Sequence, residues 1–343
     1  QRGELLALGF ADPDGPIGFR VGRVGSGDFD HEFFMEKLRL AKETRSALMA
    51  DPETTAYRLI NGEGDGFPGL VCDLFGDTAV LQLDGKGAES FWHLDQVAEE
   101  ISKIFGVKNL VFKPQSRSDK KYKVLIGNPD SQAQFSEHGL KFECDLKSGQ
   151  KTGFFLDQRE NRKTVGEFSK DKTVLNLFSY TGGFSLYALR GGANHVTSVD
   201  LSAPAIQDAE KNVALNGLDE KKHIGVAQDV YEFLAQEKKK WDFVIVDPPS
   251  FSHAKMDREK AKGAYLNLFT ESAKAVEKNG LLALSSCSSH FNDSLFMETA
   301  VNAISNARRK AQVLGSWGQP VDHPFLLACP EMKYLKFALF RLD

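Results

Sequence analysis

Five short stretches in the second half of the chain hold residues whose types and spacing could do chemistry. The first is Ser179-Tyr180-Thr181-Gly182-Gly183, directly after the apolar run TVLNLF. Paired glycines there permit a tight turn, a close approach of backbone to a ligand and the start of a helix. The pattern is not GxGxxG, and a plain strand-to-helix turn is an equal reading. The second is Asp200, closing the next apolar run, HVTSVD. An acidic side chain at such a place can accept both hydroxyls of a ribose. The third is Asp229, after HIGVA, placed for the edge of an adenine. Either aspartate could instead cap a helix N-terminus, and Asp229 could do both. The turn and two aspartates at successive strand ends point together to a nucleoside cofactor, without separating NAD from S-adenosylmethionine.

The fourth stretch is Asp247-Pro248-Pro249-Ser250-Phe251. Two prolines neither continue a strand ladder nor enter a helix freely, so they fix a rigid corner led by a carboxylate. A stiff loop is the bland reading. The fifth is SSCSS, which places Cys287 at the end of another apolar run. A single cysteine is by default a small buried hydrophobe. Its position beside Asp247, at consecutive strand ends, makes it a nucleophile candidate instead. That pairing suits one reaction. C5 of a pyrimidine is a poor nucleophile until a thiolate adds at C6; C5 then takes a methyl group, and loss of its proton expels the cysteine. An aspartate near the ring can hydrogen-bond N3 or the exocyclic amine of cytosine and stabilise the adduct.

Positioning these residues requires a particular scaffold. From about 173 onward, buried strands (TVLNLF, HVTSVD, HIGVA, DFVIVD, LLALSS, AQVLGSW, KYLKFALFRL) alternate with helical segments at 203–215 and 260–278. That rhythm predicts a parallel sheet covered by helices on both faces, with ligands at the carboxyl ends of its strands. Upstream, LLALGF and IGFRVGRV read as two short strands around a DPDGP turn, and 30–50 as one amphipathic helix. Residues 54–145 mix strands with a helix in FWHLDQVAEEISKIFG, forming a small α/β domain without catalytic signals. The expected division is 1–29, a partial β segment; 30–53, a linker helix; 54–145, the middle domain; and 146–343, the catalytic domain. The EKKK run at 237–240 reads as a solvated helix end.

Composition narrows the class. The chain has 343 residues, 41% hydrophobic and 26% charged, as in ordinary globular proteins. A net charge of −4 argues against binding nucleic acid through overall charge, but leaves room for a local basic groove. No apolar run is long enough to span a membrane, and QRGELLALGF lacks a signal-peptide pattern. The first residue is not Met, so the natural start is expected upstream. Cys72, Cys144, Cys287 and Cys329 have neither disulfide-framework nor zinc spacing, which fits a reducing cytoplasm and no metal.

GQKTGFFLDQRENR (149–162), VLNLFSYTGGFS (174–185), SVDLS (198–202), FVIVDPPSF (243–251), SSCS (285–288), DHP (322–324) and PEMKYLK (330–336) resemble the bacterial 23S ribosomal RNA cytosine-5 methyltransferase family. RLINGEGDGFPGLVCDLFGD (58–77) is similar to that family's middle domain. The resemblance covers nearly the whole chain from about residue 20. It implies a Rossmann-like class I methyltransferase sheet, preceded by a small α/β domain and a partial PUA-like N-terminal segment. The implied cofactor is S-adenosyl-L-methionine, and the implied partner is RNA, 23S rRNA or a ribosomal precursor. By the same resemblance, Lys151, Thr152, Phe155, Asp157 and Arg159 border the methionine part of the cofactor. Phe178, Ser179, Tyr180 and Gly182 line it from the first turn. Asp200 holds the ribose and Asp229 the adenine, and Leu201 and Val230 also border the cofactor. Cys287 is the nucleophile, and Asp247 touches both cofactor and target ring. For Asp157 and Arg159 alone, the bland reading is a surface ion pair. Family members begin with a complete PUA domain, of which only the last part is expected here.

Two other readings compete. One is an RNA base N-methyltransferase acting on guanine or adenine, with Cys287 structural and Phe251 against the base. The other is a non-catalytic RNA-binding protein retaining the fold. A NAD-dependent oxidoreductase fits least, because no hydride-transfer partner accompanies the glycines. His323 reads as a buried, hydrogen-bonded histidine rather than a catalytic one.

Overall fold

In the structure, a computed structural model, residues 5–13, 15, 17–114, 122–251 and 258–343 are described, with the side chain of Arg258 left aside. Their contacts group the chain into two units, Gln1–Leu156 with Pro320–Pro330, and Asp157–Gln319 with Glu331–Asp343. This boundary falls after Leu156, whereas the sequence reading draws its own after residue 145.

The first unit begins with an antiparallel pair, β1 (Ala7–Ala11) and β2 (Phe19–Val24). Of the DPDGP turn between them, Asp14 and Pro16 lie outside the described residues. The helix expected over 30–50 is two helices, α1 (His31–Thr44) and α2 (Ser46–Ala50). Asp30 caps α1 by accepting from the Phe33 N–H. The break falls at Arg45, whose fully buried guanidinium donates to the carbonyls of Ala41, Arg58 and Asp322 and to both oxygens of Asp65. Apolar periodicity carries no record of such a polar anchor, so the sequence reading ran through it.

Five strands follow: β3 (Ala56–Asn61), β4 (Leu70–Phe75), β5 (Thr78–Leu83), β6 (Asn109–Phe112) and β7 (Lys123–Ile126). They lie side by side in chain order, antiparallel except for the parallel pair β5–β6. That crossover holds α3 (Gly85–Phe91) and α4 (Leu94–Phe105), as a parallel connection requires. A hairpin, β8 (Gln132–Glu137) with β9 (Leu140–Asp145), closes the run. The segment Pro320–Pro330 belongs to this unit. Arg58 N–H donates to Asp322 Oδ2 at 2.9 Å and Asn61 Nδ2 to the Pro324 carbonyl at 2.7 Å. Gly64 sits against that carbonyl so closely that a Cβ would lie 1.9 Å from its oxygen.

The second unit is built on a seven-stranded sheet. After α5 (Arg159–Glu167), the chain alternates β10 (Thr173–Leu177), α6 (Gly183–Arg190), β11 (His195–Asp200), α7 (Ala203–Leu215), β12 (His223–Ala227), α8 (Val230–Gln236) and β13 (Trp241–Val246). Next come α9 (Arg258–Lys274), β14 (Val276–Ser286), α10 (Asp293–Asn306), β15 (Ala311–Trp317) and β16 (Lys336–Leu342). The strand order is β12-β11-β10-β13-β14-β16-β15. All pairs are parallel except β14–β16 and β15–β16. Val244, Val246, Leu282 and Leu284 pack among Tyr265, Phe269, Phe296 and Ala300 on one face, and Phe243, Ile245, Leu281 and Ala283 are equally buried on the other, so the central strands are covered on both faces. This is the expected sheet. One helix was drawn too long: 260–278 ends at Lys274, because Asn279 turns at φ +60° and Val276–Gly280 bulges before the β13–β14 ladder resumes at Phe243 and Leu281.

A polar chain crosses this sheet. Asn176 Nδ2 donates to Ser185 Oγ at 2.9 Å, Ser185 and Ser198 share a hydrogen bond at 2.7 Å, and Ser198 meets His223 Nε2 at 2.8 Å. Burial, aided by nearby His195, lowers the His223 pKa to about 4. An unfolded histidine takes its proton near pH 6.5, so between about pH 6.5 and about pH 4 the unfolded chain binds more protons. Stability is therefore lost as pH falls through that window. Thermal unfolding at about pH 7 and about pH 4.5 tests this. His223→Gln is expected to lose less Tm over the interval than the natural chain, and an equal loss would exclude His223 as a source.

Candidate active site

Register sets the level at which functional groups emerge. Leu177 pairs with Val199 on one side and with Val246 on the other, and Val246 pairs with Leu284. Phe178, Asp200, Asp247 and Ser285 therefore stand one step beyond these pairs, along a single sheet edge. Strand order reverses between β10 and β13, and that switch point is where open parallel sheets take ligands.

The turn after β10 is held in an unusual backbone shape. Phe178 and Tyr180 have φ of +58° and +47°, and Gly182 has φ +81° before α6 begins at Gly183. Non-glycine residues seldom adopt such values, and clusters of them occur where a ligand must be met. Gly182 is also a close contact: a Cβ there would lie 2.8 Å from the Ala209 Cβ on α7. The Tyr180 N–H donates to Asp200 Oδ2 and the Ser202 N–H to Asp200 Oδ1, both at 2.9 Å. Two backbone donors thus aim the carboxylate. Leu201 beside it is 74% exposed, an apolar surface of the kind a flat purine covers. The buried hydroxyls of Ser179 and Thr181 have no hydrogen-bond partner among the described residues. A fixed carboxylate, unsatisfied hydroxyls and an exposed leucine at one strand edge fit a nucleoside cofactor.

Asp229 caps α8, accepting from the Tyr231 and Glu232 N–H groups through Oδ1, and Val230 is buried behind it. The capping role allowed for it is thus present. Asp157 and Arg159 are both buried, which removes the surface ion pair as their explanation. Asp157 Oδ2 accepts from the Tyr334 hydroxyl at 2.8 Å, and Arg159 Nε donates to Glu160 at 2.9 Å. Lys151, Thr152 and Phe155 belong to the first unit. There Lys151 Nζ lies 4.5 Å from the centre of the Phe155 ring, and Thr152 Oγ1 donates to Asp73 at 2.7 Å. Burial opposes charge on Asp73, but the Arg58 guanidinium, together with His323 and the Thr152 hydrogen bond, holds the carboxyl below its ordinary range. His323 is buried, with Nδ1 3.4 Å from Asp322 Oδ1.

Around the reacting end, Asp247 is half-buried at the tip of β13, and Oδ1 accepts from Gln158 Nε2 at 2.8 Å. The same amide nitrogen donates to Ser285 Oγ at 3.0 Å, while Gln158 Oε1 accepts from Asn161 at 2.6 Å. Cys287, half-buried, follows the last residue of β14. Below it Ser286 Oγ donates to the Tyr265 hydroxyl at 3.0 Å, and the Tyr265 ring stacks on Phe291 and meets Phe251 edge-on. Burial raises the Tyr265 pKa, so its hydroxyl stays protonated. Gln158, Tyr265, Tyr334 and Lys336 were assigned no role from sequence. Gln158, Tyr334 and Lys336 do fall inside quoted motifs, and that was the available signal.

The model of the S-adenosylmethionine-dependent methyltransferase family matches residues 95–308. A ribosomal RNA large subunit methyltransferase of Deinococcus radiodurans is 37% identical over all of this chain and 87% of its own length. Ribosomal RNA large subunit methyltransferase I of Alteromonas mediterranea is 36% identical over 98% of this chain and 87% of its own. The chain belongs to the S-adenosylmethionine-dependent ribosomal RNA large subunit methyltransferase family. Among solved structures, a candidate S-adenosylmethionine-dependent methyltransferase from Streptococcus mutans superposes with a TM-score of 0.83 at 26% identity. It spans 98% of this chain and 86% of that one. A similar structure, also at 0.83 and 26%, was solved with SAH. Membership makes the chain a methyltransferase that uses S-adenosylmethionine, and excludes the NAD and non-catalytic readings. No described helix is long and apolar enough to cross a membrane.

The family's cofactor turn gives a direct test of packing. Gly182→Ala places a methyl group on a left-handed residue already touching α7, and is expected to destabilise the fold by about 1–3 kcal/mol. Chemical denaturation measures this, and an unchanged midpoint would show that the turn relaxes freely.

Proposed function

We propose that this chain forms 5-methylcytosine in large-subunit ribosomal RNA through a covalent adduct between Cys287 and C6 of the target base. The carrying observation is the position of Cys287, just past β14 on the sheet edge that also presents Asp247 and the Ser179–Gly182 turn. The names of its relatives support the substrate class. Bound S-adenosylmethionine supplies an electrophilic methyl group. Asp200 holds the ribose of that cofactor and Asp229 its adenine, and Leu201 and Val230 border it as well. Phe178, Ser179, Tyr180 and Gly182 line it between them. Lys151, Thr152, Phe155, Asp157 and Arg159 are assigned to its methionine end, and Asp247 borders both cofactor and target ring.

The electron flow uses this chain's own groups. The Cys287 thiolate forms a bond to C6, and the displaced C5=C6 pair makes C5 the nucleophile that takes the methyl. Asp247, oriented by Gln158, either accepts from the exocyclic amine, which orients the base, or, as the protonated carboxyl, donates to N3 and stabilises the negative charge that thiolate addition places on the ring. Loss of the C5 proton to a base restores the double bond and breaks the C6–S bond, which frees the thiolate. Methylation of an exocyclic nitrogen needs no such adduct. The same reading assigns the four segments 1–29, 30–53, 54–145 and 146–343 as a partial PUA-like piece, a linker, a middle domain and the catalytic domain, in a cytoplasmic protein.

Two variants separate the parts of this reading. Cys287→Ala is expected to abolish formation of 5-methylcytosine on 23S rRNA, read by mass spectrometry of the nucleosides, while calorimetric binding of S-adenosylmethionine is kept. Full activity, or a methylated exocyclic amine as product, would sink the C5 mechanism. Asp200→Ala is expected to weaken S-adenosylmethionine roughly 10- to 100-fold through lost charge-assisted hydrogen bonds. Unchanged affinity would move the ribose elsewhere.

A further inference from the structure

A buried lysine stands beside the nucleophile with no role in the chemistry above. Lys336 opens β16, where antiparallel pairing sets it opposite Ser286, the residue before Cys287. It is 1% exposed. Its ammonium carries three donors and no acceptor. One goes to the carbonyl of Ser288, the residue after Cys287, and one to the carbonyl of Tyr334 at 2.7 Å.

Carbonyl dipoles solvate a buried ammonium but do not neutralise it, and an unneutralised charge away from water is costly. The other charged groups that act on Lys336 are Asp293, Lys333 and Cys287. Asp293 and Lys333 are ion-paired to each other at 3.0 Å, on the exposed side. Asp293 favours the charged lysine but is already engaged by Lys333, and a Cys287 thiolate, flanked by the two residues that Lys336 pairs with or hydrogen-bonds, is the second negative group that does so.

We propose that Lys336 is a positioning residue for this reaction: its ammonium stabilises the Cys287 thiolate and, through the Ser288 carbonyl, holds the strand end that presents it. The inference rests on Cys287 being the nucleophile. Burial lowers the Lys336 pKa to about 8, and the negative groups nearby raise it again. Lysine and thiol therefore titrate as a coupled pair, each favouring the charged form of the other. When the thiolate is consumed in the C6 adduct, the lysine loses its counter-charge. It regains it when the adduct breaks, which favours release of the cysteine.

The test reads the thiol itself, apart from methyl transfer. The rate of iodoacetamide alkylation at Cys287 is followed against pH by peptide mass spectrometry, in the natural chain and in Lys336→Met. The variant is expected to move the midpoint up by about one unit, slowing alkylation at neutral pH roughly tenfold. An unmoved midpoint in a folded variant overturns the proposal. If Lys336→Met does not fold, the reciprocal experiment decides: lysine labelled at Cε is titrated by NMR in the natural chain and in Cys287→Ala. Loss of the thiol is expected to lower the Lys336 midpoint, and an unchanged midpoint overturns the proposal. Retained methyl transfer by Cys287→Ala would fail the underlying mechanism alone, because both titrations report on charge coupling whatever the reaction.

Discussion

The carboxyl edge of a parallel sheet is the constraint on which this site depends. Hydrogen bonding in the β11-β10-β13-β14 ladders fixes register, and register fixes which residues leave the sheet at the same height. A slip by one residue would exchange the two faces of a strand and bury Asp200 or Asp247 in the apolar layer. The apolar residues that lock this register, Leu177, Val199, Val246 and Leu284, form the last pairs of the shared ladders. Core packing and site geometry are therefore set by adjacent residues on the same strands.

Around that edge the polar side chains are held in place by neighbouring groups. Asp200 is aimed by two backbone N–H groups, Asp247 by the Gln158 amide, and Asp157 by the Tyr334 hydroxyl. Each is a charge-assisted hydrogen bond, part-buried except for the exposed Ser202–Asp200 contact, and such bonds keep a side chain within a narrow range of orientations. Catalysis by orientation and by fixed dipoles depends on such restraint, because a group free to rotate spends most of its time misaligned.

Much of this was legible in the sequence for a physical reason. Strands of a doubly covered sheet are apolar throughout, so TVLNLF and DFVIVD announce themselves, and candidate functional residues are sought at or just after the end of each run. Asp200, Asp229, Asp247 and Cys287 were singled out in that way, and the family motifs then supplied S-adenosylmethionine. What periodicity could not show was polar burial. Arg45 ends a helix by turning inward to five acceptors, and Asn279 bends a strand that reads as helix. Gln158 and Lys336 look like surface residues by type, and only the fold shows that both are buried, Gln158 against Asp247 and Lys336 against the Ser288 carbonyl. The hairpin β8–β9 carries the alternation of exposed and buried positions that marks half-buried strands, a signal the sequence reading did not use.

Pro320–Pro330 has a consequence for the order in which the protein is made. Arg45 is buried, and one of its acceptors is the Asp322 carbonyl, 277 residues later in the chain. At roughly 5–20 residues per second, a ribosome needs about 15–55 s to reach Asp322 after Arg45 has been joined. Throughout that interval Asn61 and the Arg58 amide also lack the acceptors that Pro324 and Asp322 provide. The amino-terminal unit is thus begun first and completed almost last, after most of the catalytic sheet has left the exit tunnel. Translation speed through the second half sets how long the first half waits unfinished.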